Sequence, residues 1–322
     1  MLSIFALLVL TAGSATTQND NRIYLPLMEQ GRAIALPALE PSEVGGDILT
    51  AGSAAVFPLV ERMAETFSDD GFTSQITVDS IGSGAGFERF CVSGETDISN
   101  ASRPIFQEER DNCTKLVPPR YPIEFRVGTD ALAIVVSKQN TFLQQLSLEE
   151  LIVAFAEVDT WNELDPRFPR STIWRIIPDS ESLAFEYFVD EVFYEDEEAL
   201  LKAPYVFQST DEDLLVDAIY KAPNGIGFIN YSTYLVHGDK LQALVLDAIA
   251  PTAANVENTI YPLSRPIFIY SDRTIIREKP QVAAFINYFL SNVNRDIADV
   301  GYTPVSTYTL NIAKQRWLEA IE

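Results

Sequence analysis

From Gly46 onward the chain alternates between two rhythms, short apolar runs of strand length and longer stretches with apolar positions three and four apart. Asp47-Ile48-Leu49 predicts a strand and Gly52-Ser53-Ala54-Ala55 a turn. Val56, Val60, Met63, Ala64 and Phe67 then form the buried stripe of a helix. Ile76-Thr77-Val78 predicts the next strand, followed by a glycine-rich turn and a helix lined by Phe87, Phe90 and Cys91. The run 131–136 is nearly all apolar, as expected of a strand buried on both faces. Further on, the pattern predicts helices over 148–156 and 213–221 and strands over 172–177, 225–229 and 266–270. Another helix carries Phe185, Phe188, Val189 and Val192, and the chain closes with helices over 280–290 and 311–321. The acidic run 191–198 reads as a solvated helix end and loop. Strands alternating with helices predict an α/β fold of layered sheets and helices.

Composition sharpens this picture in two ways. A chain of 322 residues with 47% hydrophobic and 21% charged residues is ordered, and it is long enough for two compact lobes. A formal charge of −23 with no basic patch to offset it argues against nucleic acid and anionic membranes as partners. It leaves a small anion open as a ligand, because distant surface charge is screened beyond about 8–10 Å while a buried cradle acts at contact range.

Residues 2–10 form an apolar run, and small residues lead on to Gly13-Ser14-Ala15. This is the form of a signal peptide over 1–15, too short to span a bilayer, although the usual basic flank is missing. The expected location is therefore periplasmic or extracellular. No cysteine sits near the cleavage site, so no lipid anchor is expected. Residues 16–45 are polar and proline-containing and read as a linker or N-terminal extension. Cys91 and Cys113 are the only cysteines. In an exported chain they are expected to form one disulfide that clips the 99–103 loop; in a cytosolic chain they are two buried thiols. With His237 the lone histidine, no metal site is expected.

The chemistry concentrates in residues 78–105. Gly82-Ser83-Gly84-Ala85-Gly86 lies where a strand gives way to a helix, so its backbone N–H groups and the positive end of the helix dipole suit an oxyanion. Ser83 and Ser102 add hydroxyl donors, and Arg103 adds a planar fork for two oxygens. The pentapeptide Ser-Arg-Pro-Ile-Phe occurs at 102–106 and again at 264–268, without matching surroundings. Arg265 in the second copy reads as structural, and Asp97 as orienting the 99–103 loop.

Five motifs in order resemble the phosphate-binding proteins of bacterial ABC transporters, which have the type II periplasmic-binding-protein fold. They are Gly52-Ser53-Ala54-Ala55-Val56-Phe57-Pro58, Asp79-Ser80-Ile81-Gly82-Ser83-Gly84-Ala85-Gly86-Phe87, Asp97-Ile98-Ser99-Asn100-Ala101-Ser102-Arg103-Pro104-Ile105, Tyr261-Pro262-Leu263-Ser264-Arg265-Pro266 and Val300-Gly301-Tyr302-Thr303-Pro304. The resemblance implies two lobes, 46–125 with 260–322 and 126–259, each a mixed sheet flanked by helices, joined by a two-stranded hinge. It implies inorganic phosphate held between them, an ABC permease as partner, a monomer, and no cofactor.

The ligand residues it implies are Ser53, Ala54, Ala55, Ser83, Gly84, Ser102, Arg103, Ser180, Glu181 and Ser182. The first loop carries Ala54 and Ala55 where the family has hydroxyls, and the fourth reads Ser180-Glu181-Ser182-Leu183-Ala184 in place of Thr-Asp-Ser-Gly-Thr. Each missing charge-assisted hydrogen bond is worth roughly 1.5–3 kcal/mol unless backbone N–H groups or water replace it. Glu181 offers an acceptor-only group to a protonated phosphate; equally, it is a first-turn helix residue favoured by the dipole.

The expected function is an extracytoplasmic solute-binding protein that delivers phosphate to a permease. The alternative is a degenerate binding-protein fold with an altered oxyanion or a larger ligand, acting as a sensor or interaction module. A hydrolase is not expected, because no nucleophile elbow and no carboxylate cluster for two metals appear.

Overall fold

The structure, a computed structural model, describes residues 32–322. The expected signal peptide and the linker as far as residue 31 lie outside the described residues. The stretch that follows runs along the C-terminal helices. Ile34 N donates to Asn311 Oδ1 at 2.8 Å, Lys314 Nζ to Ile34 O at 3.1 Å and Asn287 Nδ2 to Pro37 O at 3.1 Å.

Eleven strands are described, in chain order β1 Ile48–Gly52, β2 Ile76–Ser80, β3 Ile98–Ala101, β4 Pro122–Ser137, β5 Gln145–Leu146, β6 Trp174–Pro178, β7 Val206–Ser209, β8 Gly225–Asn230, β9 Leu241–Ala243, β10 Val245–Leu246 and β11 Ser264–Asp272. Nine of them form a curled mixed sheet in the order β2-β1-β3-β11-β4-β8-β6-β7, with β9 also on β4, and β5 pairs separately with β10. β1 runs parallel to β2 and β3, and β6 runs parallel to β7 and β8. Helices flank the sheet, so the fold is α/β with a mixed sheet, as expected.

β4 organises the molecule. Its residues from Pro122 to Ala131 pair antiparallel with β11, and those from Leu132 to Val135 pair with β8. Two hydrophobic cores lie on either side of that change of partner. One is built around Val60, Phe67, Phe87, Phe125, Phe285 and Trp317, the other around Val135, Phe155, Trp161, Phe188 and Phe228. The chain passes between them twice, from Val127 to Ala131 and from Leu263 to Ile267.

Two expectations change in extent. The apolar run 131–136 is only the second half of a 16-residue strand. Its first half alternates, with Phe125 and Val127 buried while Glu124 and Arg126 are half-exposed, so it carries the period of two that a one-sided strand shows. The helix over 148–156 is α-helical only for Leu148–Ile152, capped reciprocally by Ser147 and Glu150, and then winds into a π-turn over Val153–Glu157. β7 has no counterpart in the hydropathy pattern: a four-residue edge strand is too short for periodicity to register.

Candidate anion-binding site

β1, β2 and β3 end side by side, with Gly52 opposite both Ser80 and Asn100. Chain direction alone therefore brings the three following loops to one edge of the sheet. Two glycines set how closely they meet. A Cβ on Gly52 would stand 1.9 Å from Asn100 O, and one on Gly86 would stand 2.6 Å from Gly52 Cα. The helix Ser83–Glu88 consequently rests directly on the end of β1, and Gly52 O accepts from both Ile81 N and Gly82 N at 2.8 Å.

At this edge three hydroxyls converge. Ser53 Oγ donates to Ser102 Oγ at 3.0 Å, Ser83 Oγ lies 3.4 Å from Ser102 Oγ, and Ser102 N donates to Ser83 Oγ at 3.3 Å. Ser53 O accepts from Val56 N and Phe57 N, while the N–H groups of Ala54 and Ala55 have no backbone partner among the described residues. The same holds for Gly84 and Ala85 at the start of the next helix, as for any helix start. Ala54 is exposed and Ala55 buried, with Ala55 O accepting from Tyr302 Oη at 2.6 Å. The side chains at 54 and 55 thus offer no donor, and their backbone does.

Arg103 stands beside this cluster, its Nη2 3.9 Å from where a Cβ on Gly84 would be. Its fork is held by Glu109, Nη1 to Oε2 at 2.9 Å and Nη2 to Oε1 at 2.7 Å, and Nη1 also donates to Pro104 O at 3.1 Å. The guanidinium sits 3.8 Å from the Phe106 ring centroid and 5.4 Å from that of Phe87. The Glu109 hydrogen bond raises the Arg103 pKa. Burial pushes the Glu109 carboxyl up, but Arg103 and the Phe106 N–H outweigh it and hold the group below its ordinary value. Sequence reading missed Glu109, which caps the helix Gln107–Cys113 by accepting from Phe106 N at 2.8 Å; with Phe106 at the N-cap the usual hydroxyl signature of a capping box is absent.

The disulfide Cys91–Cys113 is formed, joining the end of the Glu109 helix to the π-turn Arg89–Ser93 that continues the Ser83 helix. Asp97 works at the other end of β3. It accepts from Leu49 N at 3.2 Å and pairs with Lys279 at 2.5 Å, which fixes β3 against β1.

The fourth loop leads into a helix whose Phe185 and Phe188 belong to the second core. Ser182 caps the helix Leu183–Phe193, accepting from Phe185 N at 3.2 Å. Glu181 N donates to Asp179 Oδ1 at 3.0 Å, and the side chains of Ser180 and Glu181 are exposed. Ser182 lines a cavity of about 360 Å³ together with Asp130, Glu212, Asn230, Gly301 and Tyr302. No hydrogen bond among the described residues joins Ser180, Glu181 or Ser182 to the Ser53, Ser83 and Ser102 cluster.

Arg265 points elsewhere. Its Nε and Nη2 both bond Asp130 Oδ2 at 2.8 Å across the β4–β11 ladder, and its guanidinium stacks 3.8 Å over Tyr187. Burial pushes the Asp130 carboxyl up against the pull of Arg265. His237 lies 3.3 Å from Asp213 on the surface of the second core.

A family model described as a PBP superfamily domain matches residues 12–293. Protein SphX of Synechococcus elongatus is 34% identical over 310 residues, covering 92% of this chain and 88% of its own. Phosphate-binding protein PstS of Staphylococcus aureus is 28% identical over 276 residues, covering 83% and 81%. The crystal structure of a possible phosphate binding protein from Planctomyces limnophilus aligns with a TM-score of 0.75 at 28% identity, covering 87% of this chain and 100% of that one.

Proposed function

This chain belongs to the PBP superfamily, and we propose that it is an extracytoplasmic solute-binding protein that captures inorganic phosphate and delivers it to an ABC permease. The observation that carries the reading is the convergence of Ser53, Ser83 and Ser102 at the ends of three parallel strands, with Arg103 alongside. Hydroxyls, helix-start N–H groups and a guanidinium together make a donor-rich surface suited to an oxyanion. The relatives and the aligned structure that carry phosphate-binding names support the same ligand.

In this reading, residues 46–125 with 260–322 form one lobe and 126–259 the other, and the two strand crossings act as the hinge. The first lobe supplies Ser53, Ser83, Ser102 and Arg103, together with the backbone N–H groups of Ala54, Ala55 and Gly84. The second closes over the anion with Ser180, Glu181 and Ser182. At 54 and 55 the side chains supply no hydroxyl, and the backbone N–H groups are the donors this loop offers the anion besides Ser53. The protein binds and releases without breaking bonds, acts as an exported monomer and needs no cofactor.

Isothermal titration tests this, on mature chain stripped of ligand by mild unfolding and given phosphate and then sulfate. Micromolar or tighter phosphate binding with sulfate ignored is the expected outcome. Absence of heat with both anions would overturn it.

A further inference from the structure

The guanidinium of Arg103 has five N–H donors, and three of them are spoken for. Two go to Glu109, through Nη1 and Nη2, and one goes to Pro104 O. Among the described residues the Nε–H and one hydrogen on Nη2 are left over, and these lie on one edge of the plane. That edge is a two-pronged donor of the kind that matches two oxygens of one anion. Its Nη2 lies 3.9 Å from where a Cβ on Gly84 would be, at the start of the helix that carries Ser83. Glu109 therefore does more than neutralise Arg103. By taking the far pair of donors it fixes the plane of the guanidinium, and the rings of Phe106 and Phe87 restrain it from the faces. Glu109 is itself fastened, by Phe106 N at 2.8 Å and through its helix to the Cys91–Cys113 disulfide.

We infer that Glu109 is a positioning residue for the anion site: it aims the Nε/Nη2 edge of Arg103 at the Ser83–Gly84 helix start. This rests on the phosphate reading above. It predicts an effect opposite in sign to simple electrostatics, since a carboxylate so near the site should repel an anion and its removal should tighten binding.

The test is a double-mutant cycle on the full mature chain with inorganic phosphate as probe. Glu109→Ala raises the phosphate Kd about tenfold in the wild-type background and leaves it unchanged in Arg103→Ala. Glu109→Gln keeps an acceptor for the Phe106 N–H and so separates the helix cap from the aim; it folds and still weakens binding. Tighter binding in either Glu109 variant, or an equal loss with and without Arg103, overturns the inference. A second readout needs no ligand. The Arg103 Nη–H groups that donate to Glu109, assigned by their loss in Arg103→Lys, exchange slowly with solvent in the wild type and fast in Glu109→Gln. Unchanged exchange overturns the inference as well. If the wild type binds no phosphate, the functional reading fails, and the exchange measurement still decides the role of Glu109.

Discussion

The pentapeptide Ser-Arg-Pro-Ile-Phe appears twice, and the two copies lead opposite lives. At 102–106 the chain leaves β3 at Ala101, Ser102 turns towards two other serines, and Phe106 is exposed at a helix start. At 264–268 the same residues lie inside β11, Ser264 donates to Tyr261 O at 2.6 Å, and Phe268 is buried. Pro266 is tolerated there because only β4 pairs with that stretch; β3 joins from Phe268 onward. Each arginine finds one carboxylate and an aromatic face, Arg103 with Glu109 and Phe106, Arg265 with Asp130 and Tyr187. The difference lies in what is left over. Arg103 keeps a free edge towards a cluster of donors, whereas Arg265 is spent on joining the two crossing strands. Identical local sequence thus serves recognition at a strand end and cohesion inside a ladder.

The sharpest way to break this contrast is Arg265→Ala. It leaves Asp130, only 4% exposed, without its partner, and removing one member of a buried pair costs about 3–5 kcal/mol. Urea unfolding should show that loss, and a change below about 1 kcal/mol would mean that the second copy is not a structural clamp.

Next in size is the covalent tie that only the first copy has nearby. Replacing Cys91 and Cys113 by serine opens a loop with a sequence separation of 22. In the chain-entropy account that costs about 3 kcal/mol of stability, again by urea unfolding. A null result would leave the Glu109 helix held by packing alone.

Arg103→Ala should do the reverse of Arg265→Ala. Phosphate affinity falls at least about tenfold, equivalent to about 1.4 kcal/mol, by isothermal titration. Stability changes by less than about 1 kcal/mol, because the pair is partly solvated. Unchanged affinity would remove Arg103 from the site.

The smallest effect is in the pH profile. The Glu109 pKa is lower folded than unfolded. Its contribution is therefore complete above the unfolded value of about 4.3 and drains away as pH falls through the lower folded value. The stability gap between wild type and Glu109→Gln should narrow on acidification across that window and stay flat above it. A gap that widens on acidification would reverse the sign assigned to the pair.

Much of the first copy's surroundings could be read in advance. Ser83, Ser102 and Arg103 stood out because a glycine-rich turn between a strand and a helix has few other uses, and the structure brings Ser83 and Ser102 together with Ser53. The cysteine pair was legible from being the only two. Glu109 was not singled out, because a carboxylate near a helix start has an ordinary explanation in capping, and only its approach to Arg103 reveals the second use. The Asp130 partner of Arg265 was invisible for a different reason: the two are far apart in sequence, and only the β4–β11 register puts them opposite each other.

What the sequence by itself determined is the kind of element at each place: apolar period, glycine turns and cap residues are local physics, and they set the α/β alternation and the donor-rich loops. What the tertiary structure decided is which loops meet. That depends on strand order and register, which are set by burial of whole sheet faces and not by any short run of residues. The same burial decides that one Ser-Arg-Pro-Ile-Phe ends a strand facing solvent and the other lies within one. In the first, a guanidinium edge stays free; in the second, it is consumed by a buried carboxylate.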